Sequence, residues 1–153
     1  MMESMETGAP SFEILLVEDS PGDVRLTREA LKDAKMHINL NVARDGIEAM
    51  AFLKREGILS HVPRPSLILL DLNLPKKDGR AVLEEIKNSP DLKSIPIVIL
   101  TTSLSDEDVL RSYQLHANCY ITKPVNLDGF LKVVRSIDNF WLSIVTLPPA
   151  TPS

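Results

Sequence analysis

Cysteine is almost missing from this chain: Cys119 stands alone among 153 residues. A single thiol cannot close an internal disulfide, and such sparing use fits a reducing compartment. Its ordinary role is that of a small buried apolar residue. Basic clusters are missing too. With a net charge of −4, no nucleic-acid-binding surface is expected. No apolar run approaches the ~20 residues of a membrane-spanning helix, so no membrane insertion is expected. No Cys/His pair has the spacing of a zinc site. Residues 1–11 are polar and acidic, without the apolar core of a secretory signal, and are read as a disordered leader. Together these absences describe a cytoplasmic protein.

What remains is ordinary for a globular chain: 44% hydrophobic and 25% charged residues, in a length that suits one domain with a full core. Glu13-Ile14-Leu15-Leu16-Val17 reads as a short strand ending on Glu18-Asp19. Ser20-Pro21-Gly22-Asp23 then starts a helix, with Ser20 as N-cap and Asp23 in the first turn. Val24, Leu26, Ala30, Leu31 and Ala34 recur at helical spacing. Ile38 to Ala43 alternates apolar and polar, as an edge strand does. Asp45 and Glu48 occupy capping-box positions of a second helix whose expected inner face is Ile47, Met50 and Leu53.

The centre of the pattern is Leu67-Ile68-Leu69-Leu70, an apolar run that stops on Asp71. Such a run suits a strand covered on both faces. Pro75, Asp78 and Gly79 force a turn before a helix over about Gly79 to Asn88. Ile97 to Leu100 is another fully apolar strand, ending on Thr101. A helix starts at Ser105. Asn118 to Ile121 is a short strand ending Thr122-Lys123-Pro124. A last helix presents Leu127, Phe130, Leu131, Val134, Ile137 and Trp141. Five strand–helix alternations predict a doubly wound α/β domain with a parallel sheet and helices on both faces.

Strands one, three, four and five thus end on Glu18-Asp19, Asp71, Thr101 and Lys123. A parallel sheet brings all four ends to its carboxyl edge. In the order 2-1-3-4-5, the switch point sets Glu18 and Asp19 beside Asp71. Charges ~4 Å apart cost about 4 kcal/mol at an effective dielectric near 20, so a proton or a cation must enter. An all-oxygen site suits Mg²⁺, or Mn²⁺. Lys123 supplies a positive charge and Thr101 a hydroxyl. A nucleophilic carboxylate, a metal, a cation and a hydroxyl match phosphoryl transfer.

With Glu18-Asp19, Asp71, Asp78-Gly79, Thr101 and Lys123-Pro124 in these places, the chain resembles the receiver domain of two-component response regulators over about Phe12 to Asn139. The resemblance implies that Asp71 accepts a phosphoryl group from a histidine kinase. It implies a metal site of Glu18, Asp19, Asp71 and the backbone carbonyl of Asn73. Thr101 and Lys123 are implied to contact the phosphoryl oxygens, Tyr120 to be the switch aromatic partnered with Thr101, and the bond before Pro124 to be cis. The stretch from Pro65 to Arg80 and the tail Phe140-Trp141-Leu142 to Pro148 are similar to small regulators partnered with phytochrome-type kinases.

Only 14 residues follow Asn139, too few to fold alone, so no output domain is expected. Phe140, Trp141, Leu142, Ile144, Val145 and Leu147 make this end apolar, which suggests a homodimer interface or a tail folded back on its own domain. Other readings of the chain are a scaffold that is never phosphorylated, a haloacid-dehalogenase-type phosphatase and a flavodoxin-like flavin carrier. Asn73 stands where the phosphatase needs its second acid, and Glu18-Asp19-Ser20-Pro21 would repel a flavin phosphate.

Overall fold

The computed structural model describes residues 12–34, 37–102 and 119–136. Five parallel strands form one sheet in the order β2-β1-β3-β4-β5: β1 (Phe12–Val17), β2 (Ile38–Ala43), β3 (Leu67–Asp71), β4 (Ile97–Thr101) and β5 (Cys119–Thr122). The described α-helices are α1 (Pro21–Leu31), α2 (Gly46–Lys54), α3 (Gly79–Lys87) and α4 (Leu127–Ser136). This is the doubly wound arrangement expected from the alternation of strand and helix patterns. The helix expected from Ser105, the continuation through Ile137 and Trp141, the leader 1–11 and the extension 140–153 lie outside the described residues.

The apolar runs are explained by what covers each face. Side chains alternate along a strand, so a strand covered on both sides needs apolar residues throughout. Leu15, Val17, Ile68, Leu70, Ile97 and Ile99 point into one core layer with α2 and α3. Ile14, Leu16, Leu67, Leu69, Val98 and Leu100 point into the other, with Leu31 of α1 and Phe130 and Val134 of α4. The edge strand β2 differs as its alternation implied: Ile38, Leu40 and Val42 are half-buried, while Asn39 is exposed.

Two helix phases depart from the sequence reading. In α1 the buried side chains are Thr27 and Leu31, and Leu26 is 51% exposed. Val24, Thr27 and Leu31 lie three and four residues apart on one stripe, and Leu26 falls off it. A hydroxyl hid Thr27 from a search for apolar residues. In α2 the inner face is Ala49, Met50, Phe52 and Leu53, whereas Ile47 is 59% exposed. Gly46 takes the inward position of the first turn because the β3–α3 loop presses on it. A Cβ there would lie 2.3 Å from the Lys77 carbonyl oxygen and 2.8 Å from Val82 Cγ2. Ile47, one residue on, is rotated outward.

The caps agree with the sequence. Ser20 Oγ accepts from the Asp23 N–H at 3.2 Å, and Asp45 Oδ1 accepts from the Glu48 N–H at 2.8 Å. Glu48 answers by accepting from the Arg44 N–H at 2.6 Å, one residue before the cap. Asp78 caps α3 through the Arg80 N–H. Gly79 lets that helix start directly against the exit of β3. A Cβ at Gly79 would meet the Asp71 carbonyl oxygen at 2.4 Å and Leu72 Cα at 2.6 Å. These caps and close approaches fix where β1 and β3 release their polar ends.

Candidate functional site

Glu18 follows β1 directly, and its N–H donates to the Ala43 carbonyl at the end of β2. Its side chain is 1% exposed, while Asp19 is open to solvent. Asp71 closes β3 and is 5% exposed. One carboxylate oxygen from each of Glu18, Asp19 and Asp71 lies within 4.8 Å of the others. The neighbouring strands deliver these acids to one point, as the strand order demands.

Lys123, just beyond β5, reaches into this cluster. Its Nζ is 2.8 Å from Glu18 Oε1, 3.0 Å from Asp71 Oδ2 and 3.2 Å from Asp23 Oδ2. The lysine therefore supplies positive charge to two of the three crowded acids, Glu18 and Asp71, and to Asp23. Burial works against the charge on Lys123, but the contacts with Glu18 and Asp71 outweigh it and raise its pKa. Asp71 Oδ1 is held separately, accepting from the Asn73 N–H at 2.9 Å. The peptide bond from Lys123 to Pro124 is cis.

Glu18 carries the strain of the arrangement. Burial raises its pKa, Lys123 lowers it, and the charge of Asp71 raises it again, for a net rise from the ordinary value of 4.5. Oε2 accepts from the Ser20 N–H at 3.2 Å. Oε1 is buried and, although in ionic contact with Lys123, has no aligned hydrogen-bond donor among the described residues. A buried oxygen of this kind, together with two more carboxylates nearby, fits the all-oxygen ligation that Mg²⁺ and Mn²⁺ accept.

A raised carboxyl pKa means that the folded protein keeps a proton that the unfolded chain has lost. Folding stability attributable to Glu18 thus falls as pH rises above 4.5 and through the raised value. A ligating carboxylate must give up that proton, so Mg²⁺ affinity is expected to rise with pH over the same window. Calorimetric titration in two buffers of different ionisation enthalpy should show proton release in mildly acidic solution and none well above that window. Equal proton release at every pH would count against Glu18 as a candidate ligand.

The loop after β3 is tied down by charge. Lys76, in the left-handed region at φ 64, places its Nζ 3.5 Å from Asp45 Oδ2. Lys77 pairs with Glu85, which Lys54 of α2 also approaches at 2.8 Å. The Lys54 contact first, then Lys77, holds the Glu85 pKa below its usual range. These pairs anchor Leu72 to Asp78 without entering the acidic cluster.

The sequence-derived residues Glu18, Asp19, Asp71, Asn73 and Lys123 converge here. Tyr120 of β5 is half-buried against the core layer under α2 and α3. Thr101 ends β4 in register with Thr122 of β5, one strand from Asp71. Phe140, Trp141, Leu142, Val145 and Leu147 lie outside the described residues. Asp23 was missed as a site residue, because its position in a first helical turn already explained an acid there. Its place on the turn just after β1, at the same sheet edge as Glu18, was the signal available.

The model of the response regulator receiver domain matches residues 14–135, and the chain belongs to that family. Response regulator Rcp1 of Synechocystis sp. strain PCC 6803 is 57% identical over 147 residues, spanning 96% of this chain and 99% of that protein. The crystal structure of its Mn²⁺-bound form superposes with a TM-score of 0.69 at 58% identity, over 89% of this chain and 98% of the other. The bacteriophytochrome response regulator AtBRR gives a TM-score of 0.80 at 41% identity, covering 86% and 96% of the two chains. The phosphorylated cyanobacterial phytochrome response regulator RcpA gives 0.71 at 51% identity, covering 94% and 100%.

Proposed function

We propose that this chain is a cytoplasmic single-domain response regulator whose Asp71 takes a phosphoryl group from the phosphohistidine of a phytochrome-type histidine kinase. The observation that carries this reading is the placement of Asp71: a buried carboxylate at a strand end, with Glu18 and Asp19 beside it and Lys123 Nζ at 3.0 Å. An Asp71 oxygen attacks phosphorus while the P–N bond to the donor imidazole breaks. The bonding pair leaves on the imidazole nitrogen, and an acyl phosphate remains on Asp71. Through the transfer, negative charge is spread over the three phosphoryl oxygens and must be neutralised.

Glu18, Asp19, Asp71 and the Asn73 carbonyl are the groups that would hold Mg²⁺ or Mn²⁺. When bound, such a cation supplies that neutralisation together with Lys123. The Asn73 N–H keeps Asp71 Oδ1 oriented. The Mn²⁺-bound form of Rcp1 supports this assignment, being the same family with a similar chain. Phosphorylation replaces the single charge of the Asp71 carboxylate with a phosphoryl group carrying about two, a net gain of about one negative charge spread over three acceptor oxygens. Thr101 and Tyr120 are our candidates for the switch that answers that charge, shifting the population between two arrangements around β4 and β5.

The phytochrome connection rests on Rcp1, AtBRR and RcpA, two of which are described as phytochrome regulators. Phosphotransfer from a panel of purified histidine kinases tests it. The expected result is fastest labelling by a phytochrome-type kinase; preference for an unrelated kinase at equal concentration would overturn the partner assignment.

We further propose that residues 12–139 form the receiver unit and that the apolar segment 140–153 helps to form a homodimer through Phe140, Trp141, Leu142, Val145 and Leu147. Its composition supports an interaction role. Light scattering should show half the mass for a chain ending at Asn139. An unchanged mass would mean that the segment does not hold the dimer.

A further inference from the structure

An ammonium has three protons, and Lys123 meets three carboxylates. Two of these, Glu18 and Asp71, also belong to the acidic triad that fits a divalent cation. The third does not. Asp23 enters from the first turn of α1, where the Ser20 cap fixes its backbone, and its side chain is 36% exposed.

A lone pair given to a metal is not available to an ammonium, and two cations sharing adjacent oxygens repel. Lys123 and a divalent cation therefore compete for the Glu18 and Asp71 carboxylates, where Glu18 Oε1 is buried with no aligned donor among the described residues. When the metal takes that oxygen, the ammonium needs another partner, because its side chain is only 11% exposed. Asp23 Oδ2 is already at 3.2 Å and is not among the triad oxygens.

We propose that Asp23 is a positioning residue: it receives the Lys123 ammonium when a divalent cation occupies Glu18, Asp19 and Asp71, and keeps that ammonium beside the phosphoryl-accepting carboxylate. The proposal rests on the reading above that the triad holds the metal. Asp23 thereby favours metal loading by drawing a competitor aside. Its own negative charge also attracts the metal, but that attraction does not depend on Lys123. The difference makes the two routes separable.

The test titrates Mg²⁺ calorimetrically into the full chain, Asp23→Asn, Asp23→Glu, Lys123→Met and the Asp23→Asn/Lys123→Met double variant. Asp23→Asn should weaken Mg²⁺ binding roughly 3- to 10-fold, as expected for coupled neighbouring charges, and Asp23→Glu should restore most of it. In the Lys123→Met background, Asp23→Asn should change affinity by less than about 2-fold. The same loss in both backgrounds, or none in either, overturns the proposal. Failure of the wild-type chain to bind Mg²⁺ overturns the triad reading itself, a separate result. A crystal structure of the Mg²⁺-loaded full chain needs no Lys123 variant. Nζ on Asp23 and withdrawn from Glu18 supports the proposal, and Nζ still on Glu18 overturns it.

Discussion

Asp71→Asn is expected to abolish acid-labile phosphorylation by a small phosphodonor or a kinase, with labelling falling by more than about 1,000-fold. An amide nitrogen or oxygen cannot replace the carboxylate as nucleophile toward phosphorus. The change isolates chemistry from folding unusually well. Asparagine has the same shape and keeps an acceptor for the Asn73 N–H, which Asp71 Oδ1 engages at 2.9 Å. It also removes one charge that is both attracted to Lys123 and repelled by Glu18. Attraction and repulsion of similar size vanish together, so unfolding free energy should change by no more than about 1 kcal/mol. Urea unfolding of both proteins, beside radiolabelled phosphate incorporation, checks the two halves. Acid-labile label persisting on the variant would move the acceptor elsewhere. A wild-type chain that never takes label would favour the scaffold reading instead.

The parts of this architecture that were legible in the sequence share one physical cause. Strands covered on both faces must be apolar throughout, so Leu67 to Leu70 and Ile97 to Leu100 announce themselves, and the first polar residue after each run marks the sheet edge. Given the edge and the strand order 2-1-3-4-5, Glu18 and Asp19 fall beside Asp71, with Lys123 at the same edge. Helix faces were harder. Periodicity cannot show that the β3–α3 loop takes the inner side of the first turn of α2, which turned Ile47 outward, or that a threonine fills a core position in α1. Asp23 was hidden for a different reason. An acid in a first turn is favourable in any helix, so that ordinary explanation masked its contact with Lys123, and only its place just after β1 at the sheet edge pointed to it. The loop pairs Lys76–Asp45 and Lys77–Glu85 escaped likewise, since they join segments far apart in the chain.

Lys123→Met should move two measurements in opposite directions. In chelator, at neutral pH, the substitution leaves Glu18 at 1% exposure and Asp71 at 5% without their counter-charge. Removing one partner of a buried ion pair costs about 3–5 kcal/mol. Here the lower end, about 3 kcal/mol, is expected, because Glu18 already tends toward its protonated form and Asp23 is partly in solvent. The loss should shrink as pH falls through the raised Glu18 pKa, since the neutral acid no longer needs a partner. Mg²⁺ affinity, by contrast, should rise, because the competing ammonium is gone. Saturation at 100 times the dissociation constant returns about 2.7 kcal/mol to the variant. Phosphate incorporation should still be slower, since Lys123 no longer neutralises the transferring group. Urea unfolding in chelator and in Mg²⁺, with calorimetric titration of the metal, separates these effects. Were stability and Mg²⁺ affinity to fall together, Lys123 would be supporting the ligand geometry rather than competing with the metal, and the electrostatic account of this acidic cluster would have to be abandoned.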